Sequence, residues 1–390
     1  MAFTQHLPMT CAACGLLCDD VLLNDTRCKK SQRFFSQTTA ASPQIKGKNV
    51  PLEAAIAQIL NGFKMAKMPH IGGLGTDIDG FRAAYQFAQT TGASLSHMHG
   101  NTAQRNYKVL QNTGWQTTTL TEVKNRADVI VCIGTDIVRH HPRFFERMVW
   151  TEHAMFTEPS QRQVVYIGQP NLQMQQGHVI QHLACTDADL PNVLSALNAL
   201  LLGKSLKAAE IAGVTIAQLN ALANTLKTAK YAVLAWAAKD FDFSHAELTI
   251  TQITHVISTL NQTTRAAGLP LGGADGDTSV QYAHTWLNGQ LLNGFEMAKN
   301  ETDALIWIDS FNSGVQPPTI AGQTFVLGNP NLQFLSEQFK VPPDVFIPIA
   351  TPGLDCAGTM FRVDGAVSLP LQKTRESTLP TLSEILAKLA

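Results

Sequence analysis

The sequence predicts an α/β protein: two largely parallel sheets behind a small N-terminal cysteine-rich segment. Three observations carry that expectation. Short apolar runs ending in glycine or a small residue recur along the chain, at 70–75, 129–134, 164–168, 231–236, 304–308 and 325–328. Helical patterns separate them. Four of the seven cysteines, Cys11, Cys14, Cys18 and Cys28, fall within the first 28 residues.

Each element has a physical reason. The cysteines are spaced C-x2-C-x3-C-x9-C, close enough for one loop to gather thiolates around an iron–sulfur cluster or a tetrahedral zinc ion. A loop of reduced thiols without metal is the third reading, and spacing leaves all three open. Gly15 supplies backbone freedom in that loop. Arg27, Lys29 and Lys30 flank Cys28, where they would partly offset an anionic cluster. From 52 to 67, apolar residues recur at helical spacing. The six apolar runs are continuous rather than alternating, the mark of strands buried on both faces. Helical patterns over 80–92, 189–202, 215–227 and 247–262 imply right-handed crossovers between parallel strands. One sheet is expected near 65–185 and another from about 230 onward. The tail, at 346–349, 358–365 and 367–369, reads as short strands with Asp364-Gly365 as a turn pair. Four regions follow: 1–50, cysteine-rich; 51–185, a first α/β domain; 186–345, a helical link and a second α/β domain; 346–390, short strands and a helix.

Composition narrows the function classes. At 390 residues the chain can form two or three domains. Only 15% of residues are charged. That low share fits a surface covered by partner subunits, or the Gln/Asn/Thr-rich surface that the chain also has. A net charge of −1 with no long basic run leaves nucleic acid no electrostatic footprint. No basic start followed by an apolar stretch marks a secretory signal. The most apolar window, 193–202, is too short to span a bilayer. A reducing cytoplasm is expected, in which clustered cysteines bind metal rather than pair as disulfides.

Other segments carry candidate chemistry. Ser96-His97-Met98-His99-Gly100-Asn101 precedes a helical pattern running to 111. No carboxylate or cysteine lies close in sequence to complete a metal set, so loop histidines with local hydrogen bonds are the preferred reading. The glycine-rich stretches 72–75 and 271–277 fit phosphate cradles or plain turns. His140-His141-Pro142-Arg143 follows a strand's carboxyl end, where ligands bind in open sheets; a packing loop is slightly preferred. Asp275 and Asp277 form a carboxylate pair, with nothing adjacent in sequence to suggest acid–base work.

Taken in order, these segments resemble the B subunit of formylmethanofuran dehydrogenase, of the molybdopterin oxidoreductase superfamily, over most of the chain. Residues 11–20 (CAACGLLCDD) resemble its N-terminal cluster motif with the trailing Asp pair. Residues 127–136 (ADVIVCIGTD), with His141-Pro142-Arg143, resemble the superfamily's strand and loop. Residues 358–365 (GTMFRVDG) resemble its late signature. The resemblance implies a molybdopterin-oxidoreductase-like fold with Rossmann-like domains, and a 4Fe-4S cluster on Cys11, Cys14, Cys18 and Cys28. One departure matters. In the dehydrogenase a Cys-His-Gly triplet supplies the ligand to tungsten or molybdenum; here the triplet is Met98-His99-Gly100. A thioether is a poor substitute for thiolate on a hard, high-valent metal. The tungsten or molybdenum pterin is therefore expected to be absent. No catalytic residue is assigned, and a degenerate site is expected around Met98 and His99.

The variant lacking that cysteine resembles the B subunit of the formyltransferase/hydrolase complex of aerobic methylotrophs. That resemblance implies a non-redox scaffold in one-carbon metabolism. A formyl group would pass from tetrahydromethanopterin to a furan carrier on a formyltransferase subunit. A zinc amidohydrolase subunit would release it as formate, with a C-like subunit completing the complex. The alternative is an active tungsten or molybdenum dehydrogenase subunit, which the retained cysteines favour.

Overall fold

A computed structural model describes residues 8–22, 25, 27–38, 40–169, 180–295, 301–335 and 342–390. The chain divides into two compact units. Unit 1 is Met1–Asn101 with Gly273–Ala390, and unit 2 is Thr102–Gly272.

Unit 1 is built on a seven-stranded sheet. Numbered along the chain, its strands are β1 (Gln44–Ile45), β2 (Lys48–Asn49), β3 (Pro69–Gly75), β4 (Ser94–Leu95), β12 (Ala304–Asp309), β13 (Gln323–Gly328) and β14 (Val345–Pro348). Their order is β2-β1-β14-β13-β12-β3-β4. The strands from β14 to β4 are parallel, and β1–β2 is an antiparallel edge hairpin. The core gathers Ile71, Phe81, Ile306, Phe325 and Ile347 with the helices Leu52–Met65, Ile78–Thr91 and Leu382–Leu389. Their ends are written in the sequence. Asp77 caps the helix Ile78–Thr91, accepting from the Gly80 N–H at 3.0 Å, and Gly92 closes it in the left-handed region at φ 71°. Thr381 and Glu384 form a capping box on the last helix. A separate ribbon pairs β15 (Gly358–Phe361) with β16 (Ser368–Leu371).

Unit 2 is built on a fully parallel five-stranded sheet in the order β11-β10-β5-β6-β7. The strands are β5 (Val129–Ile133), β6 (Gln163–Ile167), β7 (Gln181–Leu183), β10 (Ala232–Trp236) and β11 (Ala266–Pro270). A small ribbon pairs β8 (Glu210–Ile211) with β9 (Val214–Thr215). Helices Leu190–Leu201, Ile216–Thr228 and Glu247–Leu260 cover the sheet with a leucine- and isoleucine-rich core. Fully buried Trp236 lies within that core, its indole N–H donating to Asn106 Oδ1 at 2.9 Å.

The apolar runs all become strands. Their partition into sheets differs from the expectation drawn from chain order. β5 and β6 pair in one sheet with β10, not with β3, and β12 and β13 return to β3. The segment 186–228 packs within unit 2 rather than linking two sheets, and β14 with the last helix belongs to unit 1. Continuous hydrophobicity shows that a strand is buried; it does not show which neighbour buries it. The chain leaves the first sheet after β4, completes a second one, and only then returns. Among the described residues, no helix is long and apolar enough to cross a membrane.

Candidate functional site

In unit 1 the strand order reverses between β3 and β12, and ligands bind open α/β sheets at the carboxyl ends of such a pair. Gly75 ends β3 opposite Asp309 at the end of β12. The segment 96–101 lies against that edge. The Ser96 N–H donates to Ile71 O at 3.1 Å and the Met98 N–H to Gly73 O at 2.9 Å. A Cβ on Gly75 would stand 2.8 Å from the Met98 methyl and 3.2 Å from Asp309 Oδ1, so glycine is what lets Met98 lie down there. Met98 also packs on the apolar cluster of Phe295, Leu305 and Trp307. The position where the resemblance places a metal thiolate thus holds a thioether seated in apolar contacts, and these residues do not fit a tungsten or molybdenum ligand.

The two histidines have different fates. His97 is buried, and its Nδ1 accepts the His99 N–H at 3.0 Å. Burial, then the neighbouring His99, hold its pKa well below the ordinary value, so the ring is neutral. His99 Nε2 lies 2.9 Å from Asp275 Oδ2, with both side chains partly exposed. That partner is 176 residues away in sequence, so the neighbourhood of the histidines along the chain gives no sign of it. Asp275 reaches the ring from the glycine-rich loop, where it and its neighbours Gly273 and Gly276 all have positive φ.

Asp309 is the most perturbed carboxyl of the site. It is fully buried, and burial first, then Asp275, push its pKa up to about 7. Hydrogen bonds from the Ser313 hydroxyl (2.7 Å), the Ser313 N–H (2.9 Å) and the Phe311 N–H (3.2 Å) oppose the rise. Asp309 is therefore the carboxyl of the site that keeps its proton closest to neutrality, and the Asp275 that helps to raise it lies 2.9 Å from His99 on the more exposed side of the site. The sequence gives no signal for Asp309, which looks like the polar end of an apolar strand.

The glycine-rich loop has little tolerance. Gly276 sits at φ 77°, and a Cβ there would run into the Thr76 carbonyl oxygen. Gly276→Ala is expected to destabilise unit 1 by at least about 2 kcal/mol. A lowered denaturant midpoint checks this; an unchanged midpoint would show that the loop yields.

The cysteine segment lies in the same unit. Cys11, Cys14, Cys18 and Cys28 are all buried, and none of them forms a disulfide. The Cys11 N–H donates to Cys18 O at 2.9 Å, and Gly15 accepts from the Val363 N–H at 2.8 Å, which ties the loop to the segment after β15. A Cβ on Gly273 would lie 2.7 Å from Gly15 Cα, so the glycine-rich loop passes close by. Burial pushes the Cys11 and Cys14 thiols up to about 12, and nearby cysteines add to both. As free thiols these two stay protonated and inert near neutrality. Donor type, number and burial fit an iron–sulfur or zinc set. Yet among the described residues no group of three or more His, Cys, Asp or Glu side chains is arranged to hold a metal ion. Of the flanking cations, Lys30 lowers the Cys14 pKa, whereas Arg27 pairs with Asp25 at 2.5 Å and Asp20 at 3.5 Å.

The 140–143 loop, in unit 2, lies near the switch between β5 and β10. His140 Nε2 is 2.7 Å from Asp240 Oδ1, and the Thr135 hydroxyl donates to Asp240 Oδ2 at 2.6 Å. Burial pushes the Asp240 carboxyl upward, but these bonds outweigh it and hold the pKa below the ordinary range. Arg143 is clamped to Glu146 at 2.6 and 3.0 Å. His140 and Arg143 are thus engaged inside unit 2, which agrees with a packing loop. Asp277 begins the helix Asp277–Asn288 rather than joining Asp275 in the cluster.

No family model matches the chain. It is 24% identical to the B subunit of tungsten-containing formylmethanofuran dehydrogenase 2 of Methanocaldococcus jannaschii, over 94% of this chain and 92% of that protein. It is 25% identical to the B subunit of the formyltransferase/hydrolase complex Fhc of Methylorubrum extorquens, over 81% of this chain and 87% of that protein. Among solved structures, a chain of the FhcABCD complex of Methylorubrum extorquens, crystallised with methylofuran, matches with a TM-score of 0.72 at 21% identity. That match covers 89% of this chain and 97% of that one, and it shows the same mixed α/β fold with parallel sheets. The resemblance carried by residues 11–20, 127–136 and 358–365 is the one these relatives bear out. At 24% and 25%, overall identity does not choose between the tungsten-containing and the Fhc relative.

Proposed function

We propose that this chain is the B subunit of a formyltransferase/hydrolase complex, a non-redox scaffold derived from a molybdopterin-oxidoreductase-like ancestor. It works in the cytoplasm beside a formyltransferase, a zinc amidohydrolase and a C-like subunit. The complex moves a formyl group from tetrahydromethanopterin to a furan carrier and releases it as formate. The observation that carries this reading is Met98, where a metal thiolate is expected, with its methyl over Gly75. An uncharged thioether, partly buried against the apolar cluster of Phe295, Leu305 and Trp307, offers a high-valent metal no ligand charge.

The expected result is a native complex with tungsten and molybdenum far below one atom per chain and no formylmethanofuran-dependent dye reduction. Either metal near one per chain, together with such reduction, overturns the proposal. It would favour an active dehydrogenase subunit, the reading that four buried cysteines support. Cys11, Cys14, Cys18 and Cys28 are the residues that would hold a 4Fe-4S cluster, which passes single electrons when bound. Metal analysis of anaerobically purified protein separates the cases. About four irons per chain with broad absorption near 400 nm assigns a cluster, one zinc assigns a zinc site, and neither leaves a packed thiol loop.

A further inference from the structure

We infer that the outer face of the helix Asp277–Asn288 is a docking surface for another protein subunit of the assembly, with Trp286 as its anchor. The inference rests on the complex reading above and adds where contact is made. Tyr282 and Trp286, one helical turn apart, both lean on Phe361 of β15. Tyr282 stacks on it at 5.6 Å between ring centroids, and Trp286 meets it edge-on at 5.0 Å. Yet Trp286 is 62% exposed, Leu287 45% and Tyr282 39%. Large apolar side chains side by side in water are unusual unless something covers them.

Composition tells what covers them. From Thr278 to Phe295 the sequence has no Asp, Glu, Lys or Arg. The one histidine in that stretch, His284, is buried, and burial lowers its pKa. The charged neighbours from the next segment, Arg362 and Asp364, pair with each other and are largely buried, so exposed Trp and Tyr stand with little charge offered to solvent beside them, as at the core of a protein–protein interface. Arg362, beside Phe361, is mostly buried and held by Asp364 at 2.6 Å, which leaves it little to offer nucleic acid or anionic lipid. Phe361 fixes both rings in advance, so little rotamer freedom is lost on docking. Three partly exposed side chains cover far less than the roughly 800 Å² per partner of a stable interface. The patch therefore works as a hot spot inside a larger subunit footprint, not as a self-sufficient contact between two copies. The matching partner is an uncharged subunit surface with an apolar socket for the indole, rimmed by groups that hydrogen-bond to Thr285, Asn288 and Gln290.

The test is co-expression with the formyltransferase, amidohydrolase and C-like subunits, followed by affinity measurement on the purified components. Trp286→Glu is expected to weaken assembly by about 30-fold or more, as hot-spot truncations do. Trp286→Phe should keep most of the affinity. Leu248→Glu, an exposed apolar position in unit 2, should change it little. Unchanged circular dichroism and thermal midpoint of W286E confirm that folding is intact. If wild type assembles and W286E assembles equally well, this inference fails while the complex reading stands. If wild type binds none of the three subunits, the complex reading itself fails. A concentration-dependent dimer abolished by W286E, or sedimentation of wild type with phosphatidylcholine vesicles, would hand the patch to a second copy or to a membrane and overturn the inference.

Discussion

Replacing Trp236 with alanine is expected to lower the thermal midpoint of unit 2 by about 10 °C. The indole is fully buried in β10, where nothing polar but its own N–H needs satisfaction, and Asn106 supplies that partner at 2.9 Å. Trp115 packs edge-on at 6.0 Å, and Gly268 on the neighbouring strand leaves the space the ring fills. Truncation removes a large apolar area and leaves a cavity that strands paired on both sides cannot close. Such changes cost about 3–5 kcal/mol, and each kcal/mol shifts a domain of this size by about 2–4 °C. Calorimetry that resolves the transition of unit 2 checks this. A shift below about 3 °C would mean that the helices collapse onto the gap.

The second large effect is a dependence on pH. Asp309 holds its proton up to about pH 7 in the folded chain, whereas the unfolded chain releases it near pH 4. Between those values the folded state binds more protons than the unfolded state, so this group's contribution to stability falls as pH rises from about 4 to about 7, then levels off. The change is on the order of 4 kcal/mol for full burial. His70 and His97 work in the opposite sense at the acid end: burial depresses both, so the unfolded chain protonates first and stability is lost as pH falls below about 6.5. The clean measurement is therefore a difference. Stability of wild type minus that of Asp309→Asn, followed by denaturant titration from pH 4 to 8, should decline steadily to about pH 7. A flat difference would show that Asp309 is ionised throughout.

Much of the architecture was legible because its signals are local. Continuous apolar runs mark strands buried on two faces, and each of the six became one. The helices over 80–92, 189–202, 215–227 and 247–262 appear within about two residues of those limits, because Asp77, Gly92 and Thr215 mark their ends. What chain order could not show was which strands share a sheet, since pairing is decided by crossovers and not by the runs. β11, Ala-Ala-Gly-Leu-Pro, carries little strand signal because its small residues and proline weaken it; Gly268 is there to receive Trp236. The site was half legible. Met98 stood out through its neighbours in sequence, whereas the His99–Asp275 pair and the proton on Asp309 arise from contacts across the fold.

The discontinuity of unit 1 also sets an order of events during synthesis. β3 and β4 emerge from the ribosome long before β12, the strand against which β3 pairs, because all of unit 2 is translated in between. A continuous module can condense as soon as its last residue clears the exit tunnel, so the inserted module matures first. The N-terminal segment must wait for the tail, with its apolar strands open to chaperones meanwhile. Anything that recognises the folded unit 1 can therefore do so only after Gly273–Ala390 has been made.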